Sequence, residues 1–283
     1  MTLAELNRHI IASLTPALGA GEAKATARLL LEDVLKVSPT KLLMTGDRVL
    51  LPDTIEMFDR YLARISAGEP PQYVIGSARF MGMDLMVTPD VLIPRPETAE
   101  LVDIITDAAG SRPDLSVIDI GTGSGCIAIA LARALTFPRV EAIDISDAAL
   151  SVASQNGVKM NVKIDFHKQD ILAPAERAAQ PYDVIVSNPP YIAESEKAGM
   201  EIRVKDHEPA RALFVPDSDP LEFYKAIADF ALLNLADNGS VYLEINPLFA
   251  DDLQRMMTDK GFNCDIRLDS FGKKRFAIVK RDR

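Results

Sequence analysis

The stretch that most limits what this chain can become is Val117-Ile-Asp-Ile-Gly-Thr-Gly-Ser-Gly-Cys-Ile-Ala128. Apolar residues around one acid read as a strand buried on both faces. Gly121, Gly123 and Gly125 then allow a sharp turn and a close approach of backbone to a ligand, with Thr122 and Ser124 between them. A helical pattern follows. Strand, glycine loop and helix in that order open a βαβ unit, and such units build parallel sheets. The spacing is G-x-G-x-G, whereas a dinucleotide fingerprint has G-x-G-x-x-G, and Cys126 stands at its third glycine. No Gly-Lys-Ser/Thr follows, which excludes a P-loop. Asp119 lies two residues before the first glycine. An acid there suits a ligand amino group and disfavours a pyrophosphate.

The rest of the second half repeats the theme. Strands are expected at 115–120, 139–144, 162–167, 182–187, 239–245, 263–268 and 275–280. Helices are expected near 97–109, 124–135, 147–156, 219–235 and 249–259. The expectation is an α/β fold, a seven-stranded and mostly parallel sheet with helices on both faces. Asp144 ends the second of these strands, about 20 residues past the loop, where an acid can hold both ribose hydroxyls. Asp170 and Ile171 follow the third, where an adenine edge would lie.

Ahead of this sheet, residues 1–67 read as a small helical bundle. Leu3, Leu6, Ile10 and Leu14 make one stripe, and Ile55, Phe58, Leu62 and Ile65 another, with a break at Gly19–Gly21. Asp53 is the expected cap of the third helix, with Glu56 three residues on. Gly68-Glu-Pro-Pro71 breaks the pattern, and residues 73–93, with Tyr73 and Ile75 as strand positions, read as a β-hairpin. Three regions result: a helical domain over 1–70, a linker with a hairpin over 71–95, and the sheet domain over 96–283. Every ligand motif lies beyond residue 110, so the helical domain is expected to dock a macromolecular substrate. Arg95, between two prolines, reads as a surface residue.

The second chemical motif is Tyr182-Asp-Val-Ile-Val-Ser-Asn-Pro-Pro-Tyr191. Pro189 and Pro190 end the strand, which puts Asn188 at its carboxyl end, where open α/β sheets place ligands. Asn188 Oδ1 and the Pro189 carbonyl can accept both hydrogens of an –NH₂ group, with Tyr191 packed against its plane.

Composition narrows the partners. The formal net charge is −10, which argues against a protein that coats nucleic acid. Residues 1–94 carry nine basic and eleven acidic residues, so the helical domain is no basic clamp. The tail from Lys273 to Arg283 has six basic residues and one acid, and reads as a solvated terminal strand. Cys126 and Cys264 have no metal-like spacing, and three scattered histidines start no metal site or triad. With no long apolar run and no signal-peptide pattern, a soluble cytoplasmic protein is expected.

The glycine loop, Asp144 and Gln169-Asp170-Ile171 together resemble the class I S-adenosylmethionine-dependent methyltransferases. That resemblance implies a seven-stranded sheet with one antiparallel strand near its edge. Asn-Pro-Pro-Tyr after the fourth strand resembles amino-methyltransferases. Pro71-Gln-Tyr-Val-Ile-Gly76, Phe80-Met-Gly82, Val91-Leu-Ile-Pro-Arg-Pro-Glu-Thr98, Glu208-Pro-Ala-Arg-Ala-Leu213 and Leu243-Glu-Ile245 are similar to blocks of the protein N5-glutamine methyltransferases, the HemK/PrmC family. The resemblance covers nearly the whole chain. It implies methyl transfer from S-adenosylmethionine, leaving S-adenosylhomocysteine, to the Gly-Gly-Gln glutamine of class I peptide-chain release factors.

Carried over, the resemblance implies that Asp119, Gly121, Thr122, Gly123, Ser124, Gly125, Asp144, Asp170, Ile171 and Asn188 line the cofactor pocket. Asn188, Pro189, Pro190 and Tyr191 would form the acceptor site, with no metal. Ala99 and Val215-Pro-Asp-Ser-Asp-Pro220 depart from the family pattern. A ribosomal-protein glutamine methyltransferase, a DNA or RNA adenine methyltransferase and a non-catalytic cofactor-binding protein remain as alternatives.

Overall fold

The computed structural model describes residues 1–200 and 202–282. Arg283, the last basic residue of the tail, lies outside the described residues. The first helices are α1 (Leu3–Leu35), α2 (Pro39–Thr45), α3 (Pro52–Ser66) and α4 (Pro71–Ile75). Thr2 caps α1 by accepting from the Glu5 amide, while the Glu5 carboxylate accepts from the Thr2 amide. At Gly19 the helix kinks through a non-helical backbone (φ 76°, ψ 161°), the expected break. α3 starts at Pro52 with Leu51 as its cap residue, so Asp53 sits in the first turn instead of capping it. Pro52 explains this, because a fixed φ and a missing N–H suit the first helical position. Leu3, Leu6, Ile10, Leu14, Leu30, Phe58, Leu62 and Ile65 share one buried core.

Tyr73 and Ile75 lie in α4 and not in a strand. Pro71 starts this turn, and Gly76, at φ +74°, ends it in the left-handed region. The hairpin that follows is shorter than expected, β1 (Ser77–Phe80) and β2 (Met83–Met86).

The second half continues with α5 (Pro96–Ala109), β3 (Ser116–Ile120), α6 (Cys126–Ala134), β4 (Arg139–Asp144), α7 (Asp147–Lys159), β5 (Asp165–Lys168), β6 (Tyr182–Ser187) and β7 (Ile192–Ala193). Then come α8 (Ile202–His207), β8 (Phe214–Val215), α9 (Glu222–Asn234), β9 (Leu235–Glu244), α10 (Ala250–Asp259), β10 (Phe262–Leu268) and β11 (Lys274–Arg281). The chain divides into two compact units, one of Met1–Ser77 with α8 and one of Ala78–Met200 with Glu208–Arg283. The boundary falls within the stretch that reads as a linker. In the second unit Phe80, Met83 and Leu85 of the hairpin join the core beside α5 and α6. Buried Asn156 of α7 also ties the hairpin down, exchanging hydrogen bonds with the Met86 backbone.

The seven-stranded sheet runs β10-β11-β9-β6-β3-β4-β5. β11 is antiparallel to both neighbours, and the pairings from β9 to β5 are parallel. Alternate residues feed opposite cores. Val117, Val184 and Val186 pack with α5 and α6, whereas Ile118, Ile185 and Leu243 pack with α9 and α10. This is why the strands read as continuous apolar runs.

Register then places the chemistry. Ile120 lies beside Ile143 and Ser187, Ser187 beside Leu243, and Asp144 beside Lys168. One residue further on, Gly121, Asn188 and Glu244 emerge in a row at the carboxyl edge, with Asp144 next to them. The strand order reverses between β3 and β6, the switch point where such sheets bind ligands.

Candidate active site

At that edge opens a cavity of ≈ 410 Å³, within the range of small-molecule sites. One wall is the glycine loop. The Gly121 and Thr122 amides donate to the Ile143 carbonyl (2.9 and 3.0 Å), which pins the loop to β4. Gly123 has φ +55°, and a Cβ there would meet nothing within 4 Å, so its backbone faces open space. Gly125 (φ +81°) is different. A Cβ on it would lie 3.1 Å from Ala153 Cβ and Ile129 Cδ1, so this glycine packs α6 against α7 and is not among the lining residues.

Asp144 lines the cavity and braces the loop. Its Oδ2 accepts from the Gly123 amide (3.0 Å) and its Oδ1 from the Ser146 amide (2.9 Å). Each oxygen keeps a lone pair for a hydroxyl. Asp170, Ile171 and Leu172 also line the cavity, as does Ile145. Ile145 and Leu172 are about half exposed and offer apolar surface on which a flat ring can pack. Ser124 lines the cavity too, and its buried Oγ has no partner. An open glycine backbone, a braced carboxylate, exposed apolar surface and an orphaned hydroxyl fit a nucleoside with a polar tail, such as S-adenosylmethionine.

Asp119 is not at the cavity surface. It is fully buried beneath the loop, where Oδ2 accepts from Thr122 Oγ1 (2.7 Å) and the Ala128 amide (3.2 Å). It therefore shapes the loop and does not present a carboxylate to a ligand amino group. Burial pushes its carboxyl up to about 7, against the lowering effect of those two bonds. Burial also drives the Cys126 thiol up to about 12, which disfavours its thiolate form.

Asn188, Pro189 and Pro190 line the opposite side. Asn188 Nδ2 donates to Thr98 Oγ1 (3.1 Å), which leaves Oδ1 as the atom of this amide available to accept. Tyr191 does not line the cavity. Its hydroxyl donates to Glu244 Oε1 (3.0 Å), so the ring is turned toward β9 instead of the acceptor. Burial, followed by the charge of Glu244, raises its phenol well above the ordinary value.

Arg95 is no free surface residue. It lines the cavity and pairs with Glu208, which is buried and also accepts from the Ile93 amide (3.2 Å). Thr98 and Glu244 fall inside family-like blocks of the sequence, but the motif reading gave neither a role at the site. The available signal was an acid ending the apolar run of β9. Among the described residues, no cluster of His, Cys, Asp and Glu could hold a metal. No helix among them is long and apolar enough to cross a membrane.

A prediction follows from the double role of Asp144. If Asp144 holds the ribose, Asp144→Ala should weaken S-adenosylmethionine binding by about 1–3 kcal/mol, because a charged acceptor is lost together with the brace on Gly123. Calorimetry giving an unchanged Kd would remove Asp144 from the site.

Two family models match the chain, one described as PrmC N-terminal domain over residues 5–76 and one as methyltransferase small domain over residues 98–205. A release factor glutamine methyltransferase of Bacteroides thetaiotaomicron is 42% identical over 263 residues, spanning 92% of this chain and 93% of that protein. One from Bacillus subtilis is 40% identical over 230 residues, 80% of each chain. Among solved structures, a methyltransferase from Pyrococcus furiosus has a TM-score of 0.52 at 18% identity, covering 78% of this chain and 98% of that one. A ribosomal protein L11 methylase from Lactobacillus delbrueckii subsp. bulgaricus has a TM-score of 0.50 at 22% identity, covering 70% and 84%. At these identities the two structures establish the fold alone.

Proposed function

This chain has the class I methyltransferase fold and belongs to the release factor glutamine methyltransferase family, and on that premise we propose that it methylates the side-chain nitrogen of the Gly-Gly-Gln glutamine in class I peptide-chain release factors. The observation that carries the reading is Asn188 at the cavity wall with Nδ2 engaged by Thr98 and Oδ1 available. Such a reaction belongs in the cytoplasm, where release factors act, and it needs no nucleic-acid contact by this chain.

When bound, S-adenosylmethionine supplies an electrophilic methyl group on a positively charged sulfur. A neutral amide nitrogen is a poor nucleophile, because its lone pair is delocalised into the carbonyl. Asn188 Oδ1 and the Pro189 carbonyl accept the two hydrogens of the acceptor –NH₂, turn its lone pair out of conjugation and aim it into the cavity. Alignment of this kind supplies several kcal/mol, with an upper range of roughly 7–11 in model reactions. The same two oxygens stabilise the positive charge that develops on nitrogen. The prolines hold the backbone so that this arrangement costs little reorganisation. After transfer the nitrogen is acidic and loses its proton to solvent, so no protein base is required.

All residues lining the cavity belong to the second unit. We assign the first unit, which carries the exposed side chains Leu43, Met44 and Leu51, to holding the protein substrate. The test is transfer of labelled methyl from the cofactor to a whole release factor, a ribosomal protein and nucleic acid in parallel, with mass spectrometry of the product. The expected result is one methyl group on the Gly-Gly-Gln glutamine and none when that residue is glutamate. Faster labelling of the ribosomal protein or of nucleic acid would replace the proposed acceptor. In the same assay, Leu43→Asp with Leu51→Asp should raise KM for the release factor about ten-fold or more and leave cofactor affinity alone. An unchanged KM would remove the docking role.

A further inference from the structure

Behind Asn188 lies a chain of buried hydrogen bonds that reaches across the sheet edge. Asn188 Nδ2 donates to Thr98 Oγ1 (3.1 Å), and Thr98 Oγ1 donates to Glu244 Oε2 (2.7 Å). Tyr191 donates to the other carboxylate oxygen (3.0 Å). Thr98 is 2% exposed and Glu244 1%, so water does not compete for these groups.

A hydroxyl has one proton to give. While Glu244 is a carboxylate it can only accept, so Thr98 spends its proton there and can only accept from Asn188. The Asn188 amide must then turn its –NH₂ toward Thr98 and its oxygen away. A proton on Glu244 Oε2 would reverse this order. Thr98 would accept from the carboxylic acid and donate to Asn188 Oδ1, and the rotated amide would offer –NH₂ to the cavity. An acceptor –NH₂ has only hydrogens to offer, so the reversed amide repels it. Burial gives the choice its force, because a mismatched donor or acceptor here finds no other partner.

We infer that Glu244 is a positioning residue for methyl transfer: its carboxylate sets the direction of the hydrogen bonds through Thr98 and so makes Asn188 present an oxygen to the acceptor amide. The inference rests on the reading of Asn188 as the grip on the acceptor amide. The groups that face Glu244 come from several elements, and the Cys126 thiol at the start of α6 is one of them. Thr98 and Glu97 come from α5, and Tyr191 from the loop after β6. Arg275 comes from β11, and Tyr224 of α9 donates to the Glu244 backbone carbonyl (3.0 Å). Burial and Glu97 raise the Glu244 carboxyl above its usual value, while Thr98, Tyr191 and Arg275 lower it. The net shift is upward, which brings the protonated state closer to neutral pH.

The test uses the full chain, a whole release factor and three variants. Glu244→Gln keeps the shape and brings a donor, so the direction is no longer imposed. Thr98→Val removes the link, and Thr98→Ser restores its hydroxyl. Glu244→Gln and Thr98→Val should each lower kcat by about 10–10²-fold, with the cofactor Kd within about two-fold of wild type. Thr98→Ser should recover most of the loss seen in Thr98→Val. In the wild type, kcat should fall as pH is lowered through the Glu244 pKa. Thr98→Ser should keep this acid limb and Glu244→Gln should lose it, which a merely structural role would not produce.

Wild-type kcat in Glu244→Gln, with the acid limb intact, overturns the inference. Should that variant fail to fold, the Thr98 pair decides. Thr98→Val at the wild-type rate, or Thr98→Ser as slow as Thr98→Val, overturns it equally. A wild-type enzyme that leaves every release factor unmodified would instead defeat the underlying functional reading.

Discussion

Replacing Asn188 with alanine lowers kcat for the release factor by about 10²–10³-fold, the loss that follows removal of one preorganised polar contact at a reacting centre. The loss has two sources. The acceptor –NH₂ is no longer aligned, and one oxygen no longer faces the charge that develops on nitrogen. Cofactor affinity changes by less than about ten-fold, because the glycine loop and Asp144 hold most of that ligand. Asn188→Asp separates the two sources. Aspartate keeps an acceptor but has no –NH₂ for Thr98, so the anchor at 3.1 Å is lost. It also places a negative charge close to the sulfonium. Slow turnover with equal or tighter cofactor binding is the expected result. Single-turnover rates and calorimetry measure both quantities, and wild-type turnover in Asn188→Asp would show that Asn188 does not orient the acceptor.

Asp119 should make folding stability depend on pH in an unusual direction. Its carboxyl is raised from 3.8 to about 7, chiefly by burial, with Asp144 adding a smaller push. Between these two values the unfolded chain is ionised at this position while the folded protein keeps the proton. The folded state then binds more protons, so stability falls as pH rises from about 4 to about 7 and levels off above. Below about 4 both states are protonated and the group contributes no slope. The full span corresponds to roughly 4 kcal/mol, of which roughly 2 falls between pH 5.5 and 7.5. Oδ2 already accepts two hydrogen bonds, so the proton resides on Oδ1, which has no partner. Asp119→Asn keeps an oxygen for Thr122 and Ala128 and removes the titration. Urea unfolding of the cofactor-free protein at pH 5.5, 6.5 and 7.5 should give a declining series for the wild type, with a flatter one for the variant. Parallel series would mean that Asp119 is ionised in the folded state throughout.

The sequence by itself determined the frame. All seven strands of the main sheet lie within a few residues of their expected places, because a strand buried on two faces must be apolar at nearly every position and leaves an unbroken signal. The glycine loop was legible because a positive φ at three alternate positions demands glycine. Asn188 was legible because Pro189 and Pro190 stop a buried strand just where a sheet exposes its ligand edge. Register then made neighbours of Gly121 and Asn188, as the motifs required.

What the tertiary structure alone decided is the duty of each polar side chain around that edge. Asp119 reads as a ligand contact and instead lies under the loop. Tyr191 reads as a stacking face and is held by Glu244. Arg95 reads as a surface charge and is tied to Glu208. Thr98 and Glu244 sit in blocks that assigned them no part in the chemistry, yet they orient Asn188. Asn188 meets Thr98 across 90 residues, and Thr98 meets Glu244 across 146. Local pattern records only what a residue's own strand or helix requires of it. A hydrogen bond depends instead on which distant side chain the sheet order brings within 3 Å, and on which partner already holds the proton.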